Sequence, residues 1–84
     1  MAQQATFHLV IASVDENRFE GEATSATFPG KAGELTVLAH HEPLVTTLKK
    51  GTIRVREPAS SGGKEFAVEG GVLEVSANKA VVLL

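Results

Sequence analysis

Three groups of residues in this sequence carry side chains of the types that do chemistry. The first is His40-His41-Glu42-Pro43, a polar cluster set between segments of Leu, Val and Ile. Imidazole and carboxylate are both suitable zinc ligands. Adjacent residues of an extended segment point in opposite directions, so His40 and His41 do not readily meet one ion. His8 is the only other imidazole, and there is no Cys to add a thiolate. The cluster reads as solvated loop residues and not as a metal site. The second group is the scatter of Ser, His and acidic residues. A hydrolase sets these up in a nucleophile elbow or a comparable strand-turn-helix context, and no segment provides one. Glu20, Glu22, Glu34, Glu57, Glu65, Glu69 and Glu74 mostly alternate with inward residues and read as solvated strand faces, without a carboxylate pair. The third is Gly30-Lys31, which looks like the end of a phosphate-binding loop. Ser25 stands where that motif needs its first glycine, and Ala32 where a Ser or Thr binds magnesium, so this pair is a turn. No catalytic, cofactor or metal site is expected, and an interaction module fits better than an enzyme.

The elements that would hold these residues are strands, because apolar residues recur with a period of two. Phe7, Leu9 and Ile11 fall on one face of the first segment, and Asp15-Glu16-Asn17 supplies a turn. Phe19 lies on the odd face of the next run but Ala26 and Phe28 on the even one. The pattern therefore slips by one residue around Ala23 and Thr24, which predicts two short strands. Pro29-Gly30-Lys31-Ala32-Gly33 reads as a turn before Leu35 and Val37. Leu44, Val45 and Leu48 mark another strand, closed by Lys49-Lys50-Gly51. Ile53 and Val55 point inward, with Arg54 and Arg56 outward. Residues 58–63 form a loop tip, Phe66 and Val68 resume the alternation, and Gly70-Gly71 makes a tight connection. Leu73 and Val75 face in, and Ala77-Asn78-Lys79 turns the chain into a last apolar segment. Nine or ten short strands at this spacing predict an all-β antiparallel sandwich or barrel, formed by residues 1–84 as a single domain.

Two features point to a covered surface. Val10, Val45, Val72 and Val82 fall where the alternation predicts an outward face, which fits either a protein interface or a strand covered on both faces within the sandwich. The run Val81-Val82-Leu83-Leu84 is apolar on both faces, which asks for a central sheet position or a downstream segment to cover it.

Composition narrows the partner. The chain has 84 residues, 43% hydrophobic and 21% charged, with a net charge of −2 and scattered basic residues, which argues against nucleic acid. The absence of Cys fits a reducing compartment. The N-terminal segment lacks the basic region of a signal peptide, and no apolar run approaches the roughly 20 residues of a membrane helix. A domain this small carries modest stability, which leaves room for a partner to contribute.

Residues 33–55, GELTVLAHHEPLVTTLKKGTIRV, resemble a segment of the epsilon subunit of F-type ATP synthases. That family usually has Gly-Glu-Leu/Phe-Gly-Ile/Val-Leu, then Pro-Gly-His-Ala-Pro-Leu-Leu-Thr, then Leu-Lys-Pro-Gly and an Ile/Val-Arg-Ile strand. Gly33, Glu34, Leu35, Val37, Leu38, His41, Pro43, Leu44, Thr46, Leu48, Lys49, Gly51, Ile53, Arg54 and Val55 keep the pattern in register. A second block, Gly70-Gly71-Val72-Leu73-Glu74-Val75, is similar to the family's Gly-Gly-Phe/Ile-Leu-Glu-Val. Ala39 and His40 replace the usual Pro-Gly, Thr36 replaces Gly, Glu42 replaces Ala and Lys50 replaces Pro.

The resemblance implies a flattened two-sheet sandwich of about ten strands, acting as a non-catalytic part of the rotor. In this family the sandwich holds the foot of the gamma subunit and rests on the membrane c-ring, peripheral to the energy-transducing membrane and on the cytoplasmic side in a bacterium. It implies ring contacts at Glu34 and His41, flanked by His40 and Glu42, and gamma contacts at Ser13 and Thr46. The outward apolar pattern adds Val45 and Val72 to the gamma set. The family's C-terminal helical hairpin has no counterpart within residues 1–84, so this stretch is expected neither to inhibit ATP hydrolysis nor to bind ATP through it. The alternative is a free-standing ligand-binding sandwich, such as a sugar-binding module. Such modules generally stack ligands on exposed aromatics, whereas this chain has no Trp, no Tyr and four Phe.

Overall fold

Strict alternation gives each segment one apolar side, and such segments bury that side by pairing edge to edge. The computed structural model describes residues 5–58 and 63–84. Among these residues the elements are nine strands and no helix: β1 (Phe7–Ala12), β2 (Asn17–Ala23), β3 (Ser25–Gly30), β4 (Gly33–Leu38), β5 (Leu44–Leu48), β6 (Gly51–Arg56), β7 (Gly63–Val68), β8 (Gly71–Ser76) and β9 (Lys79–Leu83). Most of the loop expected over residues 58–63 lies outside the described residues.

The strands form one curled sheet that doubles over into two layers. The first layer runs β2-β1-β9-β8-β5, and the second is β4-β3-β6-β7. A single bridge, Gly30 to Leu48, joins them. It is flanked by the Lys31 N–H donating to Thr47 O at 2.8 Å and the Lys49 N–H donating to Pro29 O at 2.9 Å. On the far side the edge strands β2 and β7 meet through side chains. Phe19 and Phe66 pack edge to face with centroids 5.8 Å apart, Lys64 Nζ sits 5.4 Å from the Phe19 centroid, and Arg18 Nη1 donates to Ala67 O at 3.4 Å. An aromatic pair of this geometry contributes about 0.5–1.5 kcal/mol beyond its burial.

Every pairing is antiparallel except β1 with β9, which run parallel. Parallel neighbours need a long connection, and almost the whole chain lies between these two strands. The core is built from the residues that the alternation places inward. Phe7, Leu9, Ile11, Phe28, Ile53, Val55, Leu73 and Val82 are sealed from solvent. Full burial of such side chains is worth roughly 1.5–3 kcal/mol each.

The one-residue slip occurs at Thr24. Phe19 and Ala23 are buried before it, and Ala26 and Phe28 after it. Thr24 sits between β2 and β3, where its N–H donates to Arg56 O at 2.8 Å. Two expected turns are shorter than the composition suggested. Pro29, Gly30 and Gly33 belong to strands, leaving Lys31-Ala32 as the β3–β4 turn, and Asn17 is already the first residue of β2. Ala77 and Asn78 both have positive φ, 50° and 59°, as a two-residue type I′ hairpin turn requires.

One outward assignment is overturned. Val82 is fully buried, and it is Val81 that faces out. The reason is hairpin register: across the Ala77-Asn78 turn, Val75 pairs with Ala80 and Leu73 with Val82, so the even residues of β9 share the inward face. The apolar run in β9 does occupy a central position, between β8 and β1.

Candidate docking surfaces

Cross-strand register brings a set of apolar residues together on the outer face of the first layer. Val10 pairs with Val81, Ala12 with Leu83, and Val72 with both Leu83 and Thr47. Val45 lies two residues along β5 from Thr47, on the same side. Val45 is 70% exposed, Leu83 59% and Val72 42%, so none of the described residues covers this face. Glu74, opposite Val45, and Lys79 interrupt it with charge.

Of the four residues assigned to a gamma contact, Val45 and Val72 lie together on this face. Thr46 lies on the other side of β5, opposite the fully buried Leu73, and is half-buried. Ser13 follows β1 beyond Ala12, where its N–H donates to Glu16 O at 2.8 Å and closes the β1–β2 turn. Val81 and Leu83 belong to the same face and were missed as outward residues. Hairpin arithmetic across a two-residue turn was the signal that would have found them.

The residues assigned to a ring contact lie on β4 and in the loop after it; among the described residues β4 pairs only with β3. They do not form one patch. Glu34 is the second residue of the strand, whereas His40, His41 and Glu42 lie in the loop that follows its last residue, Leu38. Glu34 and Leu38 alone are separated by about 13 Å of extended chain. Glu34 Oε2 accepts from Arg54 Nη2 at 2.9 Å, an exposed pair of small energetic weight.

In the loop, the His41 N–H donates to Leu38 O at 3.2 Å, and His41 Nδ1 donates to Glu42 O at 2.7 Å. His40 has φ 62°, in the left-handed region that glycine favours. The loop thus keeps, with a His, a backbone conformation suited to the glycine usual at this position in the resembled family. Among the described residues no cluster of His, Cys, Asp and Glu is arranged to hold a metal ion.

A third group was not read from the sequence. His8 on β1 lies between two carboxylates of β2, with Nε2 3.3 Å from Glu20 Oε2 and Nδ1 3.3 Å from Glu22 Oε2. Thr6 Oγ1 donates to Glu22 Oε1 at 2.7 Å. The Thr6 hydroxyl first, and the His8 ring second, hold the Glu22 carboxyl below its ordinary range. The three side chains share a face because Glu22 stands directly opposite His8 in the β1–β2 ladder.

Comparison with known proteins agrees with this architecture. The ATP synthase epsilon chain of Delftia acidovorans is 40% identical over 79 residues, covering 93% of this chain and 56% of its own length. The epsilon chain of Polaromonas naphthalenivorans matches to the same extent, so this chain spans a little over half the length of these curated relatives. A chain in the cryo-EM structure of the Euglena gracilis mitochondrial ATP synthase, comprising OSCP, F1 and c-ring, superposes with a TM-score of 0.86 over 99% of this chain and 52% of that one. A chain in the Tetrahymena thermophila mitochondrial ATP synthase central stalk and c-ring structure superposes with a TM-score of 0.76 over 98% of this chain and 65% of that one. Their identities of 22% and 14% speak to the fold alone. The family model for the β-sandwich domain of the ATP synthase delta/epsilon chain matches residues 6–84, and with the 40% identical relatives this places the chain in that family.

Proposed function

We propose that residues 1–84 form a single epsilon-type domain working as a non-catalytic part of the rotor of an F-type ATP synthase. In this reading it couples the gamma subunit to the membrane c-ring during proton-driven ATP synthesis. It lies at the energy-transducing membrane through that complex, on the cytoplasmic side in a bacterium. Family membership supplies the assembly. The observation that carries the docking role is the uncovered apolar face of β5, β8, β9 and β1, because a permanent partner is what such a face accommodates in a soluble domain. Gamma is placed there, against Val45 and Val72, with Ser13 just past the end of β1; Thr46, on the reverse of β5, lies outside this face. The ring is placed along β4, from Glu34 at one end to His40, His41 and Glu42 at the other.

The test is co-elution of the chain with its cognate gamma subunit in size-exclusion chromatography, for wild type and Val45→Lys. Lys is chosen because Glu74 stands opposite Val45, so the new charge has a partner and the sheet is spared a like-charge pair. Wild type is expected to co-elute with gamma and the variant to elute alone. A wild-type chain that is folded and elutes apart from gamma at micromolar concentration refutes the assignment.

A further inference from the structure

Asn78, in the β8–β9 turn beside the paired ends of β9 and β1, joins the start of β1 to the 39–43 loop, two segments that no strand pairing connects directly. Its Oδ1 accepts from the His40 N–H at 2.7 Å, its Nδ2 donates to Thr6 O at 2.9 Å, and its own carbonyl accepts from the His8 N–H at 3.2 Å. Both side-chain partners are backbone groups of fixed polarity, so the orientation of the amide follows from the network. Among the described residues the His40 bond is the only hydrogen bond that ties the 39–43 loop to a segment other than β4, the strand it leaves. It also falls on the loop residue with positive φ, the point where the backbone would otherwise relax most readily.

We propose that Asn78 is a positioning residue for the polar tip. By gripping the His40 N–H and Thr6 O together, it fixes His40, His41 and Glu42 relative to β1 and so presents them in one arrangement to the partner that meets this end of the domain. The inference rests on the ring-contact reading above for the identity of that partner. The requirement is specific. A side chain here must accept on one atom and donate on another 2–3 bonds away while its own backbone adopts φ 59°, and of the amide side chains Asn is the one that tolerates that region. Local bonds at His41 shape the loop, and the Asn78 bond from the β8–β9 turn fixes it relative to β1.

The experiment compares wild type with Asn78→Gly, which keeps the positive φ but deletes both side-chain bonds. A second variant, Asn78→Asp, keeps the acceptor for His40 and loses the donor to Thr6. Amide exchange is read by NMR, and binding of the chain–gamma complex to c-ring in nanodiscs is read in parallel. In Asn78→Gly the His40 amide is expected to exchange about fivefold faster, the equivalent of one lost hydrogen bond. Leu9, Leu73 and Val82 should keep their protection, and ring affinity should fall several-fold. Asn78→Asp should recover most of the His40 protection. The proposal is overturned if His40 exchange in Asn78→Gly equals wild type, or if that variant binds the ring as wild type does. It is equally overturned if the core amides lose protection in step with His40 in both variants, since Asn78 would then merely stabilise the fold. A wild-type complex that does not bind the ring at all defeats the ring-contact reading, and the docking role of Asn78 with it, whatever the exchange arm shows.

Discussion

Gly30 and Gly21 are both strand glycines, and the same substitution should move them in opposite directions. Gly30 ends β3 at the bridge that joins the two layers. A Cβ built on it would lie 2.5 Å from Gly33 O and 2.7 Å from Leu35 Cδ2. The Leu35 methyl can rotate away. The Gly33 carbonyl cannot, because it belongs to the other limb of a hairpin closed by only Lys31-Ala32. Relief requires the bridge to open, at a cost of about 3 kcal/mol, the upper range for overpacking. A domain of 84 residues has about 4–13 kcal/mol in all, so Gly30→Ala removes a large share. At Gly21 a Cβ would meet Phe19 Cζ at 3.6 Å, an ordinary contact. Gly21→Ala is therefore expected to stabilise by about 0.5–1 kcal/mol, the amount a strand glycine costs through backbone entropy. Urea unfolding followed by circular dichroism separates the two. With a slope near 1 kcal/mol/M the midpoint falls by about 3 M for Gly30→Ala and rises by less than about 1 M for Gly21→Ala. Equal shifts for the two variants would refute the steric argument.

Other consequences are open to test. Ala77 holds φ 50° without being Gly, so Ala77→Gly should raise stability by about 0.5–1 kcal/mol after the entropy of the unfolded glycine is subtracted; unfolding by urea reads it. Val45→Glu should be less stable than Val45→Lys by about 0.5 kcal/mol because Glu74 stands opposite, and the gap should shrink in high salt. Glu22 is held below its ordinary range, so its contribution to stability is present above the unfolded-state value and is lost as pH falls through the folded one. A carboxylate NMR titration should find the Glu22 midpoint moving upward in Thr6→Val, and an unchanged midpoint would mean that the hydroxyl bond is not what holds it.

Fold class was legible because alternation is a local property, readable residue by residue. Ile53 and Val55 inward with Arg54 and Arg56 outward, and the slip at Ala23 and Thr24, needed no knowledge of partners. What stayed hidden depended on which strands pair. The parallel contact of β1 with β9 joins residues some 70 positions apart, as in His8 with Lys79, and no local pattern encodes it. Val82 was misplaced because an unbroken apolar run has no phase of its own; the partner strand sets it. The His8, Glu20 and Glu22 cluster and the Asn78 bridge likewise exist only after pairing, and each looked like solvated polar sequence beforehand. The candidate site was accordingly legible in composition and less so in geometry. Val45 and Val72 were found on one face, while Thr46 lies on its reverse and Glu34 at the far end of β4 from the histidine loop.

A comparison between two interior strands, β6 and β9, bears most directly on function. Both present fully buried residues to the same core, Ile53 and Val55 from one and Ala80 and Val82 from the other. Their outer residues differ: Thr52, Arg54 and Arg56 on β6, against Val81 and Leu83 after a single charge, Lys79, on β9. Folding asks for nothing apolar at those outer positions, as β6 demonstrates within the same domain. An antiparallel layer facing water on one side ordinarily alternates as β6 does. The apolar outer residues of β9, and of β8 and β5 beside it, therefore answer to something outside the fold. That excess over what the core requires is the reason this face, which gathers Val45, Val72, Val81 and Leu83, supports the docking proposal better than the outer face of the second layer, where Leu38 is the one large exposed apolar side chain among the described residues.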